Sequence, residues 1–185
     1  VADAARTVEH AGLGRRRGEQ GRELGGLDGA EDAHGRQDPD RALTGDATRH
    51  TGPARSLGYR WFTDPASRAL YEPADHEFLG RMFASGLREA LTRRGPGSRA
   101  ARYCELLLAC SEEFRRVWDA QEVGIRPKEV KRYVHPSIGA LELHCQTLLD
   151  PDQHHFLLVY TATPGTESYE KLQLLSVLGA DAPTG

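Results

Sequence analysis

The first 58 residues contain no aromatic side chain. All 13 Phe, Tyr and Trp lie at or after Tyr59, while the opening segment holds 11 of the 20 Gly. Its large apolar residues are only Val1, Val8, Leu13, Leu24, Leu27, Leu43 and Leu57. So few side chains cannot bury enough surface to offset the entropy of ordering the segment. The composition therefore predicts a disordered or weakly structured stretch over 1–58. Charge does not mark this boundary: 9 basic and 10 acidic residues precede it, and 15 and 17 follow.

Other absences narrow the class. No apolar run approaches the roughly 20 residues that span a bilayer, and the N-terminal residues do not read as a signal peptide. With three Cys and no C-x-x-C, a disulfide framework is not expected, and reduced thiols in a cytoplasmic protein are. A net charge of −3 gives no general pull toward nucleic acid or anionic membrane. The basic cluster Arg15 to Arg17 reads as a solvated charge run. There is no G-x-S-x-G, no H-E-x-x-H and no phosphate loop between a strand and a helix. The glycines of GLGRRRG follow no strand, so they are not a dinucleotide fingerprint. No enzyme class is supported and no cofactor is implied.

From Tyr59 onward the patterns are those of a folded domain. Asp64 and Pro65 suit the start of a short helix to about Tyr71. Phe78, Met82, Phe83, Leu87, Ala90 and Leu91 recur at helical spacing, with Glu77/Arg81 and Glu89/Arg93 as i,i+4 pairs; Gly95 and Pro96 end this helix. Ser98 suits the cap of a third helix, with Tyr103, Leu106, Leu107 and Cys110 inward. Ser111 suits the cap of a fourth, with Phe114, Val117 and Trp118 buried. The period then changes to two. Val130 to Val134 reads as a strand and HPSIG as a turn. Leu141, Leu143 and Cys145 alternate with Glu142, His144 and Gln146 in a half-buried strand. LDPDQ reads as a second turn. FLLVYTA, apolar on both faces, is expected to be the central strand. A last helix follows, capped by Thr166 or Ser168, with Leu172, Leu175 and Leu178 inward. Helices, a three-stranded antiparallel meander and a C-terminal helix make an α+β fold.

Four blocks go beyond periodicity: RWFTDPASRALY, SEEFRRVWDAQEV, KRYVHPSIGALELHCQTLLDPD and LLVYTATPGTESYEKLQLL. In this order and spacing, they resemble the ligand-binding domain of MmyB-like transcription regulators, over about 59–178. The resemblance implies a bacterial regulator in which an XRE-type helix-turn-helix precedes a PAS-like sensor for a small, apolar, fatty-acid-like molecule. No helix-turn-helix is visible here, and the first strands of the PAS-like sheet are not recognisable, so the sensor is expected to be partial. Residues 1–57 have the composition of high-GC DNA read out of frame, and residues 179–185 read as a flexible tail. The resemblance implies contact with DNA only through the helix-turn-helix. A homodimer, and an interaction module without ligand, remain alternatives.

Phe83, Tyr103, Trp118, Tyr133, Leu141, Leu143, Leu158 and Tyr160 are candidates for a common apolar cavity between helices and sheet. Arg132 or a Tyr hydroxyl would meet a ligand carboxylate there. The competing reading is that these residues simply fill the core. His135, His144, Cys145, His154 and His155 lie close in sequence, but neighbours on a strand point to opposite faces, so no metal site is expected. Arg126, Lys128, Lys131 and Arg132, with Arg115 and Arg116 near them, form a basic stripe read as a charged sheet edge. Cys110 reads as an ordinary core thiol.

Overall fold

The structure is a computed structural model that describes Leu43, residues 49–149 and residues 156–178. The expectations for most of the opening segment, for the LDPDQ turn and for the tail lie outside the described residues. The chain divides into two compact units. Among the described residues, one is helical, over 50–127, and the other holds the sheet, from Lys128 onward.

The helical unit has four α-helices: α1 Leu57–Thr63, α2 His76–Arg94, α3 Arg99–Cys110 and α4 Glu112–Asp119. Three begin at a serine whose hydroxyl accepts an otherwise unpaired backbone N–H. Ser56 accepts from Tyr59 at 3.3 Å, Ser98 from Ala101 at 3.2 Å and Ser111 from Phe114 at 3.1 Å. The caps at Ser98 and Ser111 are those the spacing predicts. Helix α1 is not among the expected elements. The chain is already structured before Tyr59, with a 3₁₀ turn over Gly52–Arg55 and a buried Ser56.

Asp64 does cap the next element, accepting from Ala66 N–H at 3.0 Å. That element is one 3₁₀ turn, Pro65–Arg68, rather than a helix to Tyr71. Pro65 forces Asp64 into an extended conformation, which stops α1. Four residues then give too few hydrogen bonds to offset a new helical nucleus.

Helix α2 buries Leu87 and packs Phe83, Ala90 and Leu91 against the core as expected, but its most buried positions also include small residues. Gly80, Ala84, Ser85 and Leu87 are its buried residues, while Phe78 and Met82 are half-buried. The reason is α1. Trp61 is fully buried and Phe62 nearly so, and they take up the room beside the small residues of α2. A β-carbon on Gly80 would sit 3.3 Å from the Trp61 indole nitrogen. Trp61 is wedged among Tyr71, His76 and Phe83 and has no room to retreat. Gly80→Ala gains about 1 kcal/mol of helix propensity, but overpacking costs about 1–3 kcal/mol. The expected outcome is a net loss of stability in urea unfolding; a gain would show that Trp61 yields.

In α3 the buried thiol is Cys104, and Cys110 is exposed. Tyr103, Cys104 and Leu107 form the inward face three to four residues apart, and Cys110 is turned outward at the last helical position. In α4, Phe114 is fully buried, and Val117 and Trp118 pack at the margin of the core.

The sheet unit consists of β1 Val130–His135, β2 Gly139–Leu149, β3 Phe156–Thr161 and α5 Glu167–Leu178. All pairing is antiparallel, in the order β1-β2-β3. The α+β architecture is the expected one, but the middle strand is β2 rather than β3. In a meander of consecutive hairpins the second strand lies between the others, whatever the apolarity of the third. Gly139, at φ 75°, closes the first hairpin with a backbone that other residues rarely adopt.

Strand β2 runs past the end of β3, and α5 occupies that edge. The Ser168 hydroxyl accepts from Glu142 N–H at 2.9 Å, and Lys171 Nζ donates to the Ala140 carbonyl at 2.6 Å. Thr166 caps α5 by accepting from Tyr169 N–H, and Leu172 and Leu175 are its buried side. The Leu178 side chain is outside the described residues.

Candidate functional site

The register of the sheet unit decides which side chains share a surface. Tyr133 lies opposite Leu141, Lys131 opposite Leu143, and Cys145 opposite Tyr160. Directly paired residues point to the same side, and so do residues two apart. One face, the inner one, therefore carries Lys131, Tyr133, Leu141, Leu143, Cys145 and Tyr160. Four of these are almost fully buried: Tyr133, Leu141, Leu143 and Tyr160. The Tyr133 hydroxyl donates to that of Tyr160 at 3.2 Å, and the two rings meet edge to face with centroids 6.1 Å apart.

The outer face carries Arg132, Val134, Glu142, His144, Gln146 and Leu148, all exposed. Arg132 thus cannot serve a ligand held against Tyr133. The two are sequence neighbours on a strand, and their side chains leave it on opposite sides. The cation on the inner face is Lys131, half-buried, with Nζ 5.5 Å from the centroid of the Tyr160 ring. The signal was in the sequence: Lys131 and Tyr133 are two apart in a predicted strand. Leu158 pairs with Thr147, and its side chain is outside the described residues.

The remaining candidates belong to the helical unit. Phe83 and Tyr103 line a crevice with Phe62, Leu87, Leu107 and Phe114, whose cavity volume is about 10 Å³. This is below the roughly 300–1,000 Å³ of small-molecule pockets, so the crevice holds no whole ligand as it stands. Trp118 does not line it. Its ring stacks on Phe114 at 5.3 Å, and the Arg88 guanidinium lies over it at 3.9 Å. The nine expected site residues therefore divide between the units: three helical, five on the sheet with their side chains described, and Leu158.

Two of the motif blocks meet in the helical unit. Arg68, from the RWFTDPASR block, makes a two-pronged pair with Glu113 of the SEEFRRVWD block at 2.6 and 3.1 Å. Its Nε donates to the Trp61 carbonyl at 2.8 Å, and its guanidinium lies 5.1 Å from the Trp61 ring. Phe62 and Phe114 meet edge to face at 5.0 Å. Burial pushes the Cys104 thiol and the Tyr59 hydroxyl above their ordinary values, with the nearby Cys110 adding to the shift at Tyr59.

The segment after α4 is held along α2 by polar contacts. Arg81 is two-pronged on Glu122, Arg88 donates to the Trp118 carbonyl, the Ser85 hydroxyl accepts from Ile125 N–H at 3.2 Å, and Arg126 pairs with Glu89 at 3.6 Å. The two expected i,i+4 pairs thus have competitors from another part of the chain. Of the basic stripe, Arg126 pairs with Glu89 and Arg115 bonds the Leu108 carbonyl at 2.8 Å in the helical unit, while in the sheet unit Lys131 and Arg132 lie on opposite faces of β1. Strand β1 does lie at the sheet edge, as its basic start suggests.

The hydrogen bonds from Arg81 hold the Glu122 carboxyl below the ordinary carboxylate range. A lowered folded-state value means that this contact stabilises the fold above the unfolded carboxylate value and is lost as pH falls through the folded one. A carboxyl-detected titration is expected to place Glu122 below the exposed glutamates. Arg81→Gln should return it to them, and no movement would show that the pair does not form.

Among the described residues no three His, Cys, Asp or Glu gather as metal ligands. His144 is exposed on the outer face and Cys145 faces the other way; His154 and His155 are outside the described residues. No helix among the described residues is long and apolar enough to cross a membrane.

With this geometry in place, the comparison with known families is direct. The family model for the MmyB-like transcription regulator ligand binding domain matches residues 38–175, and the chain belongs to this family. The matched stretch begins ahead of residue 59, where the resemblance read from the motif blocks starts. No curated protein and no solved structure matches the chain.

Proposed function

We propose that this chain is the ligand-sensing part of a bacterial, cytoplasmic transcription regulator and that it binds a small apolar, fatty-acid-like molecule. Membership of a family defined by its ligand-binding domain carries this reading. The buried aromatic and aliphatic inner face of the sheet supports it, because such surfaces supply most of the contact with apolar ligands. The PAS-like assignment belongs to the same proposal. Binding would change regulation by favouring one packing arrangement over another. DNA would be reached through an XRE-type helix-turn-helix outside the matched residues. An out-of-frame origin for the start of the chain then concerns only residues ahead of 38, and translating the upstream DNA in all frames tests it.

The test is native mass spectrometry of the full chain, stripped of lipid and returned to dodecanoate. The expected result is a one-to-one complex and a raised melting temperature, since a ligand that binds the folded state stabilises it by mass action. Failure to bind dodecanoate or its longer homologues would overturn the reading. A second reading, an interaction or homodimerisation module without ligand, draws on Val134 and Leu148, exposed on the outer sheet face. Sedimentation distinguishes it: a monomer that binds dodecanoate excludes that module.

A further inference from the structure

We propose that residues 120–127, which follow α4, form a strap that lifts off α2 without unfolding the helical unit, and that ionic strength, with no ligand required, sets how often it is open. The strap ends the helical unit, and Lys128 begins the other. Lifted, it is a free linker from 120 to 127; closed, it is part of the helical unit.

One row of α2 sets the path. Arg81, Ser85 and Glu89 are four residues apart, so they stand on one side of the helix, about 12 Å from end to end. Their partners come in the same order along the chain: Glu122, the Ile125 N–H and Arg126. An extended chain reaches at most about 13–14 Å over the four steps from 122 to 126. The strap therefore runs parallel to α2 with almost no slack. Its fixed end is just ahead of it, where Arg88 donates to the Trp118 carbonyl and covers the Trp118 ring. It then starts at Gln121 with φ 54°, a backbone conformation that side chains disfavour, and lifting releases that constraint.

The contacts that close the strap are polar and mostly wet. None of residues 120–127 is buried, and Val123 is 67 % exposed. The Arg81 and Glu122 side chains are 42 % and 33 % exposed, and those of Arg126 and Glu89 78 % and 30 %. Ion pairs this open to water contribute little and are screened by salt. The contact sheltered from solvent is the hydrogen bond from Ile125 N–H to the buried Ser85 hydroxyl, at 3.2 Å. The core of the unit is of another kind: Leu87, Leu107 and Phe114 are almost fully buried and apolar. Segments with few buried apolar contacts open locally, whereas a packed core opens only as the unit unfolds. Lifting the strap breaks two screened ion pairs and one hydrogen bond and uncovers none of those core residues.

Native-state hydrogen exchange of the full chain, followed by NMR at about 0.05 and 0.5 M sodium chloride, tests this by comparing the amides of Ile125 and Leu87. Ile125 is expected to exchange at least about tenfold faster than Leu87, which lies in the buried stretch of α2. At the higher salt it should exchange about three- to tenfold faster again, with Leu87 unchanged. Ser85→Ala should remove the protection of Ile125 and leave that of Leu87. Because Ser85 is buried, a second variant stays clear of the core. With Arg81→Gln and Arg126→Gln together, Ile125 should exchange at low salt as the parent does at high salt. Exchange of Ile125 in step with Leu87 would place the strap in the cooperative core and overturn the proposal. So would a parent rate at Ile125 that ignores salt, or an Ile125 amide with no protection at low salt.

Discussion

Replacing Trp61 by alanine is expected to lower the stability of the helical unit by about 3–5 kcal/mol. The indole is fully buried and meets the rings of Tyr71, His76 and Phe83 at centroid distances of 5.6, 5.4 and 5.3 Å. Arg68 and Gly80 close the remaining sides. These neighbours come from different segments, so a cavity at their centre cannot collapse without moving α1 away from α2. Trp61→Phe should behave differently. The indole N–H is buried, and no protein acceptor among the described residues takes its hydrogen bond. A buried donor without a partner costs about 1–3 kcal/mol, and phenylalanine removes it along with part of the volume. The two effects oppose each other, and the expected net loss is within about 1.5 kcal/mol, on the scale of volume-conserving core swaps. Urea unfolding followed by circular dichroism measures both variants. Equal losses would show that the indole N–H is bonded after all.

The same residue marks what the sequence could convey about the fold. The caps at Ser98, Ser111 and Thr166 were legible because capping is local: a hydroxyl meets an N–H three residues on. The β1–β2 hairpin was legible because alternation and a His-Pro-to-Gly turn specify both strands and their register. Helix α1 was not, since SLGYRWFT is short, contains a glycine and sits at the change in composition. The large residues Phe83, Leu87, Ala90 and Leu91 of α2 do meet the core, but its small buried residues were missed for a related reason. Periodicity gives weight to large side chains, whereas Gly80, Ala84 and Ser85 are buried because residues from α1 fill the space beside them. That is a tertiary fact, invisible within any window of the α2 sequence. Cys110 was expected in the core because a helix face was extended one position too far, and the buried thiol is Cys104.

The candidate site was legible in half. Tyr133, Leu141, Leu143 and Tyr160 do share one buried surface. Strand alternation also separates the two cations: Lys131 shares the face of Tyr133, and Arg132 lies on the other. Phe83, Tyr103 and Trp118 were grouped with the sheet by hydrophobicity, which says that a residue is inside but not which residues surround it. In the helical unit their contacts are with Trp61, Tyr59 and Phe114.

Strand β2 allows the sharpest test of the face assignment, because three consecutive residues have opposite expectations. Leu143 is fully buried in the middle strand, opposite Lys131. Leu143→Ala removes three heavy atoms from a fully buried place, with β1 paired on one side and the end of β3 and α5 along the other, and should cost about 2–5 kcal/mol. Glu142 and His144 are exposed on the outer face, and alanine at either should change stability by no more than about 0.5 kcal/mol. The Glu142 backbone N–H, not its side chain, is what Ser168 holds, so Glu142→Ala leaves that contact in place. Hydrogen exchange at the β1–β2 amides reads all three variants on the same strand pair. Protection should collapse in Leu143→Ala alone. A large loss at Glu142 or His144 with a small one at Leu143 would mean that the register is shifted by one residue. Every inner-face assignment, Lys131 included, would then reverse, because a one-residue slip turns each side chain to the other side of the sheet.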